Sequence, residues 1–353
     1  VGYYQIDTIL TPGKKHLLTM IPSVERLDEV VINDRLLETF IYSEDQAGTL
    51  RMNHKITKFL PGSSNNSVFN LLRLQSGISA TAESSENLII WGSYEGQNRI
   101  LFDDIVLFGL KNFNNNIGTV NPYMVKDIKL MKAAFGANYG DCVGGIADIT
   151  GKDGNRKQYS MNLSLDNFTI NSMLETPVTK NSSLVLAFRH TYRNLYDNKN
   201  WDLTPNREND IHSDVTIVPD YLFRDLNLKY TFRNEQDFHI QFSLLAGQDK
   251  FSYNVDEMLT TRYQLLRNTK EKSLQKGASL LIGKDGKNGV STQFSMSYSS
   301  LDARFENEQE VVNTFNDNIR KNINQQTLNS IREASVKLKS TWAVNNNHQL
   351  ESA

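Results

Sequence analysis

The chain has 353 residues, with 38 lysines and arginines against 40 aspartates and glutamates, and a formal net charge of -2. This balanced charge argues against a general nucleic-acid binder, which attracts its ligand through a basic excess. Hydrophobic residues make up 39% of the chain, enough for a buried core, yet no apolar run reaches the roughly 18 residues that a membrane helix needs. The single cysteine, Cys142, excludes an internal disulfide and a zinc site built from several cysteines.

The sequence contains none of the motifs that mark common catalytic or nucleotide sites. It lacks the P-loop pattern G-x-x-x-x-G-K-[ST], the zinc pattern H-E-x-x-H and the nucleophile pattern G-x-S-x-G. Its six histidines are scattered along the chain. We therefore expect neither an enzyme nor a bound cofactor or metal ion.

The first candidate element is a short β-prone segment flanked by polar residues. It consists of Leu27, Asp28, Glu29, Val30, Val31 and Ile32. Such a segment can add as a strand to the edge of a partner's sheet, where main-chain hydrogen bonds supply the affinity. The pattern fits the last strand of a preceding β domain equally well, so both interpretations stay open at this level.

Residues 41 to 155 predict a compact mixed α/β domain. The stretch SSNNSVFNLLRLQSG predicts a short helix, with Ser and Asn available to cap its start and Gly77 to end it. Strands are predicted in NLIIWG, NRILFDDIVL and VKDIKLMKA. Asp103 and Asp104 lie together in the second of these. Because adjacent residues of a strand point to opposite faces, we do not expect this pair to bind a metal ion.

Six glycines fall within residues 134 to 155, AFGANYGDCVGGIADITGKDGN. A phosphate-binding loop needs a helix start after its glycines, whereas this stretch continues as a strand and a turn. The glycines therefore indicate backbone architecture, with positive φ angles and a close approach of neighbouring chain segments.

Alternation of apolar and polar residues dominates residues 156 to 353. In LNLKYTFR, for example, Leu226, Leu228, Tyr230 and Phe232 alternate with Asn227, Lys229, Thr231 and Arg233. This period of two is typical of strands with one apolar and one polar face. It predicts strands near 158–166, 168–178, 183–195, 221–233, 237–250, 271–283, 289–302 and 329–344, with a ninth beginning at His348.

The connections between these strands alternate between short and long. The short ones are TKNS, NEQ, KDGKN and NNN, and the long polar ones are predicted as loops at 196–220, 251–270 and 303–328. Short turns on one side and long loops on the other are typical of an outer-membrane β-barrel, with turns in the periplasm and loops outside the cell. A soluble β-sandwich shares the strand pattern but does not sort its connections by side, so the barrel is favoured.

Two stretches of the α/β domain resemble the plug signatures of the TonB-dependent outer-membrane receptors. They are RILFDDIVL and VKDIKLMKAAFGANYGDCVGGIADITGKDGN. The resemblance implies a structural signature formed by Trp91, Gly92, Asp103, Asp104, Tyr139, Gly140, Gly144 and Gly145. The family usually has Arg-Gly where this chain has Trp91-Gly92, and Asp-Gly where it has Asp103-Asp104. The first departure calls into question the usual anchoring of a plug arginine to barrel carboxylates.

The resemblance covers essentially the whole chain and implies a mainly β fold with four parts. Residues 1–24 are similar to the end of a carboxypeptidase-regulatory-like β domain, and 25–40 to the TonB-box segment and linker. Residues 41–155 would be a mixed α/β plug, and 156–353 the first eight or so strands of a transmembrane antiparallel barrel of about 22 strands. Since eight strands cannot enclose a plug, we expect an open sheet and a natural chain that continues further.

The function implied by the resemblance is plug-gated, TonB-dependent uptake of an unidentified substrate across the outer membrane. The implied partners are a TonB-type energy-coupling protein, outer-membrane lipid and a surface lipoprotein, with no nucleic acid. The N-terminus would lie in the periplasm and the plug in the barrel lumen. The departures in the signature motivate an alternative, a non-transporting scaffold or accessory component with the same frame. A receptor that relays a signal is a third hypothesis.

Overall fold

The structure, a computed structural model, describes residues 2–3, 13, 22–23, 41–43, 48–59, 67–79, 88–94, 96–109, 117–132, 135–136, 138–140, 142–166, 168–192, 215–286, 289–316, 318–345 and 348–353. The chain divides into two units, Val1–Thr39 and Phe40–Ala353. In the first unit, strand β1 (Gly2–Tyr3) pairs antiparallel with β2 (Pro22–Ser23). The predicted partner-binding segment, residues 27 to 32, lies outside the described residues.

The second unit begins with a mixed α/β domain. Its strands are β3 (Ile41–Ser43), β4 (Thr49–Asn53), β5 (Ile78–Ser79), β6 (Ile89–Ile90), β7 (Arg99–Phe102), β8 (Ile105–Val106), β9 (Val125–Met131) and β10 (Ile146–Gly151), and its helix is α1 (Ser67–Arg73). Short 3-10 helices span His54–Phe59 and Pro122–Met124. Six strands form one sheet in the order β3-β4-β9-β10-β7-β8, in which β10 and β7 run parallel. Strands β5 and β6 form a separate pair.

The core of this domain follows from its apolar patterning. Helix α1 buries Val68, Phe69, Leu71 and Leu72 against a cluster that includes Ile128 and Ile149 of the sheet. Gly77, with a φ of 76°, lies just beyond the helix, in the left-handed region that glycine adopts without steric cost. The predicted helix and the predicted strands in NLIIWG and VKDIKLMKA are confirmed, whereas NRILFDDIVL forms two strands, β7 and β8, joined by a turn at Asp103-Asp104.

A second, larger sheet contains nine antiparallel strands in sequence order. They are β11 (Ser160–Leu165), β12 (Thr169–Thr179), β13 (Ser182–Thr191), β14 (Val215–Arg233), β15 (Phe238–Thr260), β16 (Tyr263–Asp285), β17 (Val290–Asn313), β18 (Ile319–Asn345) and β19 (His348–Ser352). Within the described part of the chain, β11 pairs with β12 alone and β19 with β18 alone, so the sheet is open. The nine predicted strands and the open sheet are confirmed.

Two predicted loops are instead strand. The ranges 251–270 and 303–328 extend the hairpins, which close at residues 261–262 and 314–318. Hydrogen bonds between polar side chains of neighbouring strands hold these extensions together. The Gln264 amide donates to Asp256 at 2.6 Å, and the Asn322 amide donates to Glu310 at 2.9 Å. The many polar residues in these ranges made them resemble loops, yet a largely polar strand is stable when its backbone is fully paired and its cross-strand side chains bond to one another.

The two faces of the nine-stranded sheet have opposite character. On the exposed face, three consecutive rows of directly paired residues are apolar throughout: Leu228, Leu244, Ala278, Tyr298 and Ala334; Tyr230, Phe242, Leu280, Met296 and Val336; Phe232, Ile240, Ile282, Phe294 and Leu338. The other face is covered by the α/β domain and buries many polar side chains, among them Arg189, Asp225, Asn227, Lys229, Ser243, Gln275 and Ser299. This polarity is the reverse of a soluble sheet, which buries its apolar face.

Among the described residues, no helix combines the length and the apolar character needed to cross a membrane.

Candidate functional site: polar contacts between the α/β domain and the sheet

The hairpin of β7 and β8 places two carboxylates against the covered face of the large sheet. Asp103 and Asp104 form its turn, with φ angles of 47° and 66°. Two successive positive φ angles are what a two-residue type I′ turn requires, and Asp-Gly is a preferred pair there. The expectation that both aspartates lie in a strand with opposite orientations is therefore wrong. Asp104 instead adopts a left-handed conformation where the family has glycine.

Asp103 lies in a buried cluster with Lys229, Ser243 and Gly151, here called the Asp103 cluster. The Lys229 ammonium lies 2.9 Å from Asp103 Oδ1 and donates to the Gly151 carbonyl at 3.0 Å. Ser243 Oγ donates to Asp103 Oδ2 at 3.0 Å, and the Gly151 N–H donates to Oδ1 at 3.0 Å. Lys229 is fully buried. Both charges are therefore compensated by an opposite charge and by hydrogen bonds, as burial of an ion pair requires.

Replacing Lys229 with methionine should loosen the α/β domain from the sheet. The change leaves Asp103 as a buried carboxylate without a cation, a defect that costs about 3–5 kcal/mol. Hydrogen exchange in residues 99–107 and 146–151 of the full-length protein should show a lower free energy of local opening by this amount.

Two variants serve as controls for this measurement. Lys229→Met combined with Asp103→Asn removes the uncompensated charge, so part of the lost protection should return. Lys284→Met removes an exposed lysine of the same sheet and should change protection by less than about 0.5 kcal/mol. A single variant as well protected as the wild type would show that the ion pair does not hold the domain.

Asp104 belongs to a second charged group, which connects the sheet to strand β10. Lys337 of β18 lies 3.3 Å from Asp104, and its ammonium stands 5.9 Å from the centre of the Tyr139 ring. The Tyr139 hydroxyl donates to Asp148 at 2.7 Å. Burial, reinforced by the charge of Asp104, raises the pKa of Asp148 to about 6. Burial together with Asp148 also raises the pKa of Tyr139, so its hydroxyl remains a proton donor.

Two arginines add further charged contacts between the domain and the sheet. Arg189 of β13 is completely buried; its Nε donates to Asp225 at 2.9 Å and its Nη2 to the Gly118 carbonyl at 2.9 Å. Arg99 of β7 forms an ion pair with Glu333 of β18. An arginine of the α/β domain thus pairs with a carboxylate of the sheet at Arg99, whereas the Asp103 cluster has the opposite polarity, with the cation on the sheet.

Backbone groups of the hairpin also bond directly to the sheet. The Val106 N–H donates to Ser299 Oγ at 2.8 Å, and the N–H groups of Phe108 and Gly109 donate to Gln275 Oε1 at 3.1 Å. Gly277 of β16 lies against Ile105, where an added Cβ would collide with the isoleucine side chain. The glycine therefore allows the hairpin to lie directly on the sheet.

The predicted signature residues fall into several structural roles. Trp91 and Gly92 form a turn with φ angles of 53° and 71°, and the Trp91 ring, 64% exposed, lies over Gly77. At Gly144 and Gly145, a Cβ would meet Ser93, Asn98 or Ile90, so these glycines serve close approach. None of Gly140, Gly144 and Gly145 has a positive φ, contrary to the expectation for this stretch, although Gly154 does, at 80°.

The covered face continues as an open wall beyond the α/β domain, towards the turns at 261–262 and 314–318. A groove of about 550 Å³ lies there, lined by the aromatic rings of Phe251 and Phe305 and by the acidic residues Asp249 and Glu271. Aromatic and charged groups on one concave surface are suited to orient a ligand. Among the described residues, no three or more His, Cys, Asp or Glu side chains are grouped in a way that could hold a metal ion.

Sequence analysis did not identify the sheet's contribution to this site. Arg189, Lys229 and Lys337 were assigned only to the polar faces of their strands. Their signal was a long basic side chain in the middle of a strand whose opposite face is apolar. On the covered face such a charge needs a partner inside the protein, because the α/β domain excludes water from it.

Comparison with solved structures finds similar folds among outer-membrane proteins. They include a ferric enterobactin receptor variant from Pseudomonas aeruginosa (12% identity, 86% of this chain and 61% of that one, TM-score 0.39) and the outer membrane transporter YddB from Escherichia coli (10%, 84% and 59%, 0.40). The siderophore receptor PirA from Acinetobacter baumannii is another (10%, 85% and 59%, 0.41). The chain spans about three fifths of the length of these structures. No protein-family model and no curated protein matches the chain.

Proposed function

We propose that this chain forms the plug and the first barrel strands of a transporter that actively takes up a substrate across the outer membrane. The observation that carries the proposal is the reversed polarity of the large sheet. Its exposed face is apolar over three full rows, and its polar face is covered by a separate α/β domain. A sheet of this kind is suited to face lipid on one side and a polar lumen on the other.

The length of the apolar band supports membrane insertion. On β15 the exposed apolar residues run from Phe238 to Ala246, which is nine residues, and Gln248 and Lys250 follow. A tilted transmembrane strand needs about 9–11 residues to cross the hydrocarbon core. The remainder of β15, up to Thr260, would then project beyond the membrane.

In this proposal the α/β domain is the plug. Four charged contacts hold it to the wall, through Arg189, Lys229, Lys337 and Glu333. Passage of a substrate would require some of these contacts to open, and buried ion pairs are costly to separate. An external supply of work is therefore needed. We propose that this work is applied at residues 27 to 32, the segment that a TonB-type coupling protein binds by strand addition.

The groove at Phe251 and Phe305 is the proposed substrate-facing wall above the plug. Mass spectrometry of the ligand retained by the purified full-length protein would identify the substrate. Uptake of that ligand in labelled form then separates a transporter from the alternative, a scaffold that keeps the frame without transport. A scaffold would retain no ligand and give no uptake.

The proposed topology predicts which hairpin ends face the cell exterior. Thr261 lies at the tip of the β15–β16 hairpin and Gln236 in the short turn between β14 and β15, at opposite ends of the sheet. In a Cys142→Ser background, Thr261→Cys should react with a membrane-impermeant maleimide on intact cells. Gln236→Cys should react only after the outer membrane is permeabilised. The opposite labelling pattern would invert the proposed orientation, and equal labelling of both sites would contradict a membrane-spanning sheet.

A further inference from the structure

A row of basic side chains crosses the exposed face of the sheet just beyond the apolar band. Lys250 of β15 is paired directly with Lys272 of β16, and Lys272 directly with Arg304 of β17. All three are exposed. We call these three residues the basic row. Like charges directly opposite one another destabilise a sheet, so the row carries an energetic cost that the fold itself does not require.

Local ion pairs do not cancel this charge. Arg304 forms an ion pair with Glu306, the next outward residue of its own strand. Lys250 and Lys272 have no carboxylate within 4 Å among the described residues. Lys270 of β16 lies directly opposite Glu306, whereas Lys276 adds a further exposed cation on the other side of the row. The chain as a whole is slightly acidic, with a net charge of -2, so this basic concentration is local.

The basic row lines a groove of about 560 Å³ on the exposed face. Four basic residues, Lys250, Lys270, Lys272 and Arg304, contribute to it, together with Leu222 and the acidic residues Asp220, Glu271 and Glu306. Cationic groups around an open groove with an apolar edge suit a ligand that has anionic oxygens and a hydrocarbon part. Phosphate is the group of this kind that lysine and arginine bind best.

The position of the basic row favours a lipid over a soluble anion as its ligand. On β15, Lys250 lies four residues beyond Ala246, the last apolar outward residue. Four residues of strand span about 13 Å, which is about 9 Å along the membrane normal for a strand tilted by about 45°. The headgroup layer lies at this level, because it begins where the hydrocarbon core ends.

We infer that the basic row binds the phosphate of an anionic lipid whose acyl chains lie on the apolar rows below it. The site is on the side of the 261–262 and 314–318 turns, which the proposed function places at the outer leaflet. The inference rests on the membrane placement in that proposal but not on transport, since a scaffold in the same membrane would bind the lipid equally well.

Lipid titration of the full-length protein in uncharged detergent tests this inference, with native mass spectrometry as the readout. The variant replaces Lys250, Lys272 and Arg304 with glutamine. The control replaces Lys284, Arg320 and Lys321, three exposed basic residues elsewhere on the sheet, so both variants lose the same charge. Phosphatidic acid should bind the wild type and the control alike. It should bind the basic-row variant about a hundredfold more weakly, since each basic side chain near an anionic surface contributes close to a fivefold factor.

Two further ligands and a fluorescence measurement distinguish the possible outcomes. Diacylglycerol with the same chains should bind far more weakly than phosphatidic acid, and inorganic phosphate should not compete at equal concentration. Equal affinity of the two triple variants for phosphatidic acid would overturn the site. Diacylglycerol that binds as tightly as phosphatidic acid would overturn it too. If inorganic phosphate competed as strongly as the lipid, the basic row would be a site for soluble anions and the lipid site would be overturned.

Membrane placement is measured separately, at Trp342 on the exposed face of β18. In a Trp91→Phe, Trp201→Phe background, lipids brominated on their chains should quench its fluorescence. Absence of quenching would overturn the membrane placement and the lipid site together. Quenching combined with unchanged lipid affinity in the basic-row variant would overturn the lipid site alone.

Discussion

A disulfide between Ile105→Cys and Gly277→Cys is expected to abolish uptake, and its reduction to restore it. Ile105 of the α/β domain lies against Gly277 of β16, where a Cβ added at Gly277 would be 3.3 Å from the Ile105 Cβ, close to the spacing of disulfide-bonded residues. A covalent bond at this point ties the domain to the wall. If the domain must leave the wall for a substrate to pass, the oxidised protein still binds its ligand but cannot transport it.

The experiment uses a Cys142→Ser background and a matched cross-link that leaves the domain free. The Cys142 thiol lies 3.2 and 3.4 Å from the carbonyl oxygens of Gln97 and Gly145, and a serine hydroxyl, like the thiol, can donate its one hydrogen to either of them. The control pair is Thr292→Cys with Ser340→Cys, which are directly paired on β17 and β18 within the sheet. Uptake of the labelled ligand at the control rate by the oxidised Ile105→Cys, Gly277→Cys pair would show that this contact does not open during transport.

The distribution of charge explains why opening should need work. Lys229 of the sheet is completely buried and pairs with Asp103 of the α/β domain, whereas Arg189 pairs with Asp225 within the sheet and reaches the domain through the Gly118 carbonyl. Such pairs contribute modestly to stability when intact but cost about 3–5 kcal/mol when one partner is removed. The same contacts can therefore hold the domain in a defined position and resist spontaneous opening. A pull on the domain would have to separate several of them together.

The strand pattern could be predicted from the sequence because it reflects a single physical constraint. Every second residue of β14 to β18 is apolar near the short turns, and this period of two requires no knowledge of the partner strands. The hairpin extensions could not be predicted in the same way. Beyond the apolar band the outward residues of β15 are polar from Gln248 onwards, and the apolar residues Phe251, Tyr253 and Val255 fall on the other face. The outward alternation therefore ends at Gln248 although the backbone ladder continues to Thr260.

The candidate site was less accessible to sequence reasoning because it depends on long-range pairing. Asp103 and Lys229 are separated by 126 positions, and Asp104 and Lys337 by 233. Nothing local to the pair of aspartates indicates a cation opposite each of them. The turn geometry could not be predicted either, because a positive φ such as that of Asp104 is unusual for a residue with a side chain. The sequence around Asp104 is otherwise typical of a strand.

Replacing Val30 with proline is expected to abolish coupled uptake without unfolding the α/β domain. Proline lacks the N–H that an added strand donates to its partner, and its ring fixes φ near -65°. Residues 27 to 32 precede the α/β domain, so the variant should retain ligand and form the disulfide between Ile105→Cys and Gly277→Cys normally. Labelled-ligand uptake by whole cells is the measurement.

Val30→Ala is the matched control, because alanine shortens the same side chain but keeps the N–H. If main-chain hydrogen bonds supply the affinity, the alanine variant should transport near the wild-type rate while the proline variant does not. Wild-type uptake by Val30→Pro at normal protein level would contradict the assignment of the coupling segment. The competing interpretation, that these residues form the last strand of a preceding β domain, predicts a different result. Proline would then disrupt a folded strand, and the amount of intact protein would fall together with the uptake, whereas loss of a partner contact lowers uptake at constant protein level.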